Sequence, residues 1–214
     1  MDLGIKGRWA ILSGSSRGLG WACAQSIARE GVNVVINGRT SADVDEAVAQ
    51  LTSLHHIEAR GVVGDSATAS VQDALMSACP EPDIVLLNGQ GPSPKAFLDI
   101  ESEDWDSAVR QALTGPLALV QRVVPGMRDR GFGRIVAVSS AMVKSPNSLM
   151  SLSHGTRLGL TGVLKGLSKD LAKYNVTVNQ LLPERFDTAR QEQMAHVAMK
   201  ILGITYEEAR AQQI

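Results

Sequence analysis

The stretch Ser13-Gly14-Ser15-Ser16-Arg17-Gly18-Leu19-Gly20 decides the fold. It closes a short apolar run at 9–13 that reads as a strand, and it opens a helical run at 21–29. Glycines at a strand-to-helix turn let the backbone approach a ligand. The helix that follows offers N–H groups without intrahelical acceptors to a pyrophosphate. A glycine cluster alone is a weak signal, and the bland alternative is a plain glycine-rich turn. Here it ends the first strand of a βαβ unit, the context that gives the motif its meaning.

Outward from that turn, further strand candidates fall at 33–37, 59–63, 84–88, 134–139 and 176–182. Each is short and rich in valine, isoleucine or leucine, as strands covered on both faces are. Amphipathic stretches separate them. In 41–53, Val44, Ala47, Val48 and Leu51 recur at helical spacing behind Ser41, a cap candidate. The run 105–127 contains Pro116 and Pro125 and is expected as two helices or one kinked helix. Residues 152–174 form a long helical run, and 89–94 a loop. The alternation predicts an α/β fold: a doubly wound parallel sheet in three α/β/α layers, in a single domain over residues 1–214.

Composition narrows the function. The 214 residues are 44% hydrophobic and 20% charged, within the ordinary globular range. Lysine and arginine total 21 against 22 aspartates and glutamates, a net charge of −1 that gives no electrostatic case for nucleic acid or an anionic membrane. No apolar run approaches the ~18 residues that span a bilayer. The N-terminus lacks the apolar core of a signal peptide. Cys23 and Cys79 form neither a CxxC pair nor a metal spacing, so free thiols and a cytoplasmic location are expected. In the long helical run Gly155, Gly159, Gly162 and Gly166 are spaced 4, 3 and 4 apart and share a face. Glycine inside a helix costs about 1 kcal/mol relative to alanine. Two compensations stand: close approach of a partner subunit, making a homodimer or homotetramer through the 152–174 helix, or tight seating of the helix on its own sheet.

The glycine spacing is Gly-x-x-x-Gly-x-Gly rather than Gly-x-Gly-x-x-Gly, and in this it resembles the short-chain dehydrogenase/reductase family, the branch that includes 3-oxoacyl-carrier-protein reductases. The resemblance continues in order along the chain. Asp65, with Ser66 beside it, matches the aspartate that meets the adenine ring in the family. Asn88-Gly89 is similar to the family's Asn-Ala-Gly, and Ser139-Ser140 end the strand where its catalytic serine lies. Asn179, Pro183 and Thr188 resemble the segment that contacts the nicotinamide end. The resemblance implies a Rossmann-type sheet and a nicotinamide cofactor held by Gly14, Ser16, Gly18, Leu19 and Gly20 together with the residues just named.

Cofactor choice follows from charge. NAD-binding relatives carry an acid at the end of the second strand to bind the ribose hydroxyls. Here the segment is Asn37-Gly38-Arg39-Thr40, with glycine at that position and arginine next to it. Arg17 lies in the glycine loop nearby. Two guanidinium groups converging on a 2′-phosphate favour NADP(H) over NAD(H), against the alternative that Arg39 is a solvated loop residue.

The pattern breaks at the catalytic helix. The family uses a tyrosine and a lysine four residues apart, the lysine lowering the phenol's pKa from near 10. Counting from Ser140 gives Ser153 and Arg157 instead, and the family's assisting asparagine aligns with Ala112. A serine hydroxyl is a far weaker acid than a phenol, and a guanidinium does not relay protons. His154 has a suitable ordinary pKa but lies about 100° around the helix from position 153. Its alternative is a surface or interface histidine. Lys144 and Asn147 are further candidates to face the pocket. Ser-x-x-x-Arg, the Asn88-Gly89-Gln90-Gly91-Pro92-Ser93-Pro94 loop and Arg185-Phe186-Asp187-Thr188-Ala189-Arg190 together resemble a divergent branch of the family. Glu184 replaces the usual glycine after Pro183, as a base or an impediment.

The resemblance implies a further helix and a seventh strand past the point matching Ile214; either the protein is short, with the seventh strand missing and the sixth an edge unless another chain or the last helix covers it, or this is a partial chain. Three functions remain open. The first is an NADP-dependent oxidoreductase acting on a small carbonyl or alcohol, with Ser140, Ser153 and Arg157 at an atypical catalytic site. The second is a catalytically silent cofactor-binding subunit acting with a partner. The third is a relic that binds neither cofactor nor substrate, against which the glycine loop and the paired arginines speak.

Overall fold

The computed structural model describes residues 2–184 and 186–213. Six strands, β1 (Trp9–Leu12), β2 (Asn33–Gly38), β3 (Ala59–Val63), β4 (Ile84–Leu87), β5 (Gly133–Val138) and β6 (Val176–Leu181), form one parallel sheet in the order β3-β2-β1-β4-β5-β6. The chain winds outward in one direction from β1 and in the other from β4. The crevice between β1 and β4 at their C-terminal ends is the place where such sheets hold ligands.

Alternation along each strand sends side chains to two cores. Register aligns Ile11 with Val35 and Val85, and Val85 with Ile135, so these four make a row across the sheet. They pack against Leu75, Leu119, Val123, Met127, Leu160 and Leu164. These come from helices α3 (Ala69–Ala78), α5 (Gly115–Arg130) and α6 (Ser151–Leu171). Ala10, Leu12, Val34, Ile36 and Leu86 face the other way, onto Ala24 and Ala28 of α1 (Gly18–Arg29) and Ala47 and Leu51 of α2 (Ser41–His55). Helices thus cover both faces, as expected. Cys79 lies in the first core, and burial pushes its thiol up to about 11. Burial raises Cys23 as well, and both thiols are free.

Several local expectations are corrected. Thr40, not Ser41, is the residue preceding α2; Ser41 is its first helical residue and its hydroxyl donates to Asp45. The expected break near Pro116 is a π-helical turn, Arg110–Thr114, joining α4 (Ser102–Val109) to α5, with Pro116 the second residue of α5 just past the wider turn. Ser13, Asn88, Ser139 and Leu182 fall just beyond their strands and belong to the loops at the crevice. The glycine face of α6 divides in two. A Cβ at Gly155 would stand 3.5 Å from the Trp105 ring, and one at Gly159 would stand 3.4 Å from Leu113, so this half seats on the 102–114 helical stretch rather than on the sheet. Gly162 and Gly166 face open space beside the exposed Val163. Beyond β6 lie α7 (Ala189–Leu202) and α8 (Tyr206–Ala211), packed on each other. Among the described residues no helix is long and apolar enough to cross a membrane.

Candidate active site

The crevice is a cleft of about 740 Å³ at the C-terminal end of the sheet. Its floor is the glycine loop, and hydrogen bonds fix that loop on three sides. Asn37 is 2% exposed; its Oδ1 accepts from the Gly14 N–H at 3.2 Å while its Nδ2 donates to Val62 and Gly64 carbonyls at 3.0 and 3.1 Å. Asn88 Nδ2 donates to the Gly14 carbonyl at 2.7 Å, and the Asn88 N–H donates to Ser13 Oγ at 2.9 Å. The Ser15 hydroxyl donates back to the Leu12 carbonyl at 2.6 Å.

Gly14 has a φ of +55°, and a Cβ there would fall 2.7 Å from the Asn88 carbonyl oxygen. At Gly20 a Cβ would fall 2.2 Å from the Gly14 oxygen. The loop is therefore packed as tightly as bare backbone allows. Gly18 and Leu19 at the start of α1 line the cleft, and the Arg17 side chain makes no capping bond to that helix. The uncapped N-terminus suits an anion.

All the cofactor residues expected from sequence that line a ligand path meet here: Gly14, Ser16, Arg17, Gly18, Leu19, Arg39, Asp65, Ser66, Asn88, Gly89, Pro183 and Thr188 border one cleft, with Gly20 packed beneath. Asp65 Oδ1 accepts from the Ala67 N–H at 3.0 Å, which holds its loop against the opening. A Cβ at Gly38 would meet Ser16 Oγ at 2.3 Å, so the glycine loop itself crowds the position where an acid would sit. Arg17 and Arg39 border the same end of the cleft. Arg39 is exposed at the rim, but Arg17 is turned onto Asp43 in an ion pair. Sequence reasoning passed over Asp43; its signal was an acid in the first turn of the helix after β2.

At the other end of the cleft Ser140 is half-buried, and its Oγ accepts from the Met142 N–H at 3.2 Å. The Ala141 N–H donates to the Pro183 carbonyl at 2.9 Å, tying the serine loop to the segment after β6. Ser139, 5% exposed, has an Oγ with no hydrogen-bond partner among the described residues, a buried hydroxyl on the cleft wall. Ser153 is 4% exposed, and Arg157 Nη1 donates to the Val138 carbonyl at 2.9 Å. Both lie under the 89–94 loop: a Cβ at Gly91 would stand 3.3 Å from Arg157 Nη2 and 3.8 Å from Ser153 Oγ. Ala112 and Arg157 border a separate cavity of about 30 Å³, room for one water, where the family's asparagine would project.

His154, Lys144 and Asn147 do not line the cleft. His154 Nε2 is 3.0 Å from the Asn147 carbonyl, an interaction outside the pocket. Glu184, Phe186, Gln191, Gln193 and Met194 do border it, facing Gln90, Gln111, Met142 and Met150. These amides and methionines carried no sequence signal, because they come from five separate segments. Arg185 and the side chain of Arg190 lie outside the described residues.

A parallel sheet of this strand order, with a glycine floor and an uncapped helix N-terminus at its switch point, defines a Rossmann-type α/β protein. The chain belongs to the short-chain dehydrogenase family, whose model, described as short chain dehydrogenase, matches residues 8–197. It is 30% identical over 193 residues to the 3-oxoacyl-[acyl-carrier-protein] reductase FabG of Aquifex aeolicus, covering 88% of this chain and 77% of that one. It is 27% identical over 210 residues to the NADPH-dependent reductase BacG of Bacillus subtilis, covering 96% and 81%. The crystal structure of L-sorbose reductase from Gluconobacter frateurii, complexed with NADPH and L-sorbose, superimposes with a TM-score of 0.89 at 28% identity, over 97% of this chain and 81% of that one.

Proposed function

We propose that this protein is an NADP(H)-dependent oxidoreductase of one domain over residues 1–214, moving hydride between nicotinamide and a small carbonyl or alcohol substrate at an atypical catalytic site. One observation carries the reading: the glycine loop is closed to a side chain at Gly14 and Gly20 and opens on an uncapped helix N-terminus. That is a cradle for a pyrophosphate and for little else. The orphaned Ser139 hydroxyl is a second fit, a buried donor waiting at the nicotinamide end. Preference for NADP(H) rests on Gly38, crowded by Ser16, and on Arg17 and Arg39 at the same rim. The sorbose reductase and BacG, each named with NADPH, support it.

The bound nicotinamide supplies or accepts the hydride; the chain's own residues orient and screen. Ser140 Oγ already accepts from the Met142 N–H, which leaves its O–H to donate to a substrate oxygen. Arg157, fixed on the Val138 carbonyl, places a permanent positive charge beside that oxygen and gives up no proton. The proton comes from water. A positioned general acid contributes roughly 10²–10⁴-fold, so turnover falls below that of relatives with a tyrosine by about that factor.

Fluorescence titration with NADPH and NADH, followed by a carbonyl screen, tests the reading. Ser140→Ala is expected to lower turnover about 100-fold while leaving the NADPH Kd within about twofold, since one donor to a developing oxyanion is lost and the cradle is untouched. NADPH binding with no turnover on any carbonyl would favour the silent subunit, a reading that the loop over Ser153 supports. No binding of either cofactor by the folded chain would reject both. Arg39→Ala is expected to weaken NADPH roughly 10–100-fold, the value of charged hydrogen bonds, and NADH hardly at all. Equal losses would remove the 2′-phosphate argument. The open half of the α6 glycine face, flanked by Leu158 and Val163 at 44% and 50% exposure, is the surface we assign to a homodimer or homotetramer. A cytoplasmic location accompanies this reading.

A further inference from the structure

Arg17 and Asp43 form an ion pair, Nη2 to Oδ1, across the adenosine end of the cleft. The two partners are unequally held. The Asp43 side chain is 14% exposed and sits in the first turn of α2, where the helix favours a negative charge. The Arg17 side chain is 73% exposed and hangs from the turn before α1. If the pair separates, the arginine moves and the aspartate stays. Exposed pairs of this kind contribute little to stability, so nothing in the fold requires this one.

The surroundings give the pair a consequence. Among the described residues the cationic side chains bordering this end of the cleft are Arg17 and Arg39, and Asp43 neutralises the first. Gly38, against Ser16, contributes no charge. A dianionic phosphate arriving between the two arginines must draw Arg17 off Asp43 and then remain beside the carboxylate left behind. A ribose with a free 2′-hydroxyl makes neither demand.

We propose that Asp43 is a counter-ion built into the 2′-phosphate subsite, which parks Arg17 in the free protein and lowers the preference for NADPH over NADH. The inference rests on the dinucleotide reading above and goes beyond it by assigning a specificity-setting residue outside the glycine loop and the second strand. Asp43 touches no reacting atom; it acts through Arg17 and through its own charge.

Wild type and Asp43→Asn are titrated with NADPH and NADH by nicotinamide fluorescence at low and high salt. The isosteric amide is expected to tighten NADPH roughly three- to tenfold, about 0.7–1.4 kcal/mol, and to leave NADH within the error of the titration. The gain is expected to shrink in ~1 M salt, where the screening length is about 3 Å. Asp43→Ser, which also suits a first helical turn, carries the same expectation should the amide variant fold poorly. Weaker NADPH binding by either variant would mean that Asp43 aims Arg17 at the phosphate, and would overturn the proposal. Equal changes for both cofactors, or none, would overturn it as well. A wild type that binds neither cofactor would instead overturn the dinucleotide reading itself.

Discussion

Gly20→Ala is expected to abolish binding of NADPH and NADH alike, with at least a 100-fold rise in both dissociation constants. The new methyl carbon would lie 2.2 Å from the Gly14 oxygen, 2.9 Å from the Gly14 carbon and 2.7 Å from Asn88 Nδ2. Two of these are backbone atoms, and they have nowhere to go. Gly14 is held by Asn37 on its N–H and by Asn88 on its carbonyl, and Asn88 in turn by Ser13. Relief requires α1 to shift away from β1, which moves the helix N-terminus off the anion it would bind. Overpacking of this kind costs about 1–3 kcal/mol in stability, so the variant is expected to fold with a melting temperature lower by roughly 2–10 °C. A Gly20→Ala protein that binds NADPH within about threefold of wild type would remove the cradle from the proposed function.

The cradle was legible because its determinants are local. A strand, a turn and a helix start lie within one short stretch; Gly14 and Gly20 are dictated by backbone contact inside that stretch or with one neighbouring loop, and Gly18 by its φ of +58°. The inner strands were legible for a related reason: β1, β2 and β4 are buried on both sides, and the Ile11, Val35, Val85 and Ile135 row needs nothing else. Strand ends were less so: Ser13 and Ser139 still donate their N–H groups to Leu86 of β4 and Leu181 of β6, while Asn88 turns its N–H to the Ser13 hydroxyl, and composition does not separate these cases. The π turn at Arg110–Thr114 escaped because one extra residue per turn leaves no mark on an apolar pattern already interrupted by Pro116. Thr40 and Ser41 are both cap residues by type, with serine the commoner, and only the backbone places the boundary at Thr40. The pair of Arg17 with Asp43 is tertiary, made by packing α1 beside α2, and charge alone suggested that Arg17 would join Arg39. His154 shows the opposite case: the angle around the helix placed it off the catalytic face, and its contact with the Asn147 carbonyl agrees.

Restoring the family's residues by Ser153→Tyr with Arg157→Lys is expected to lower stability markedly and to give no gain in ketone reduction. Position 153 is 4% exposed, and the 89–94 loop lies directly over it, with the Gly91 Cβ position 3.8 Å from Ser153 Oγ. That loop is not free to lift. At its far end the Lys95 N–H donates to the Leu149 carbonyl at 2.9 Å, and Lys95 Nζ is 2.5 Å from Asp104 Oδ2, which also accepts from the Glu101 N–H at 3.0 Å. The ammonium beside it holds the Asp104 carboxyl below its usual range, so this anchor persists in mildly acidic buffer. A phenol ring at 153 therefore overpacks the site at a cost of about 1–3 kcal/mol. Lysine at 157 gives up the guanidinium that reaches the Val138 carbonyl, about 1 kcal/mol more. Together these predict a melting temperature lower by roughly 5–15 °C for a chain of this size. Lysine keeps the charge at 157 but not the guanidinium held on the Val138 carbonyl, and position 112, where the family resemblance implies an asparagine, is still Ala112, beside a cavity of about 30 Å³. Thermal unfolding and NADPH oxidation with a panel of small ketones check both halves of the expectation. A double variant that melts with the wild type and reduces ketones tenfold faster would show that the loop yields and that Ser153 and Arg157 replaced an otherwise ordinary site. Loss of stability without gain would mean that loop, serine and arginine changed together, as one site with its own geometry.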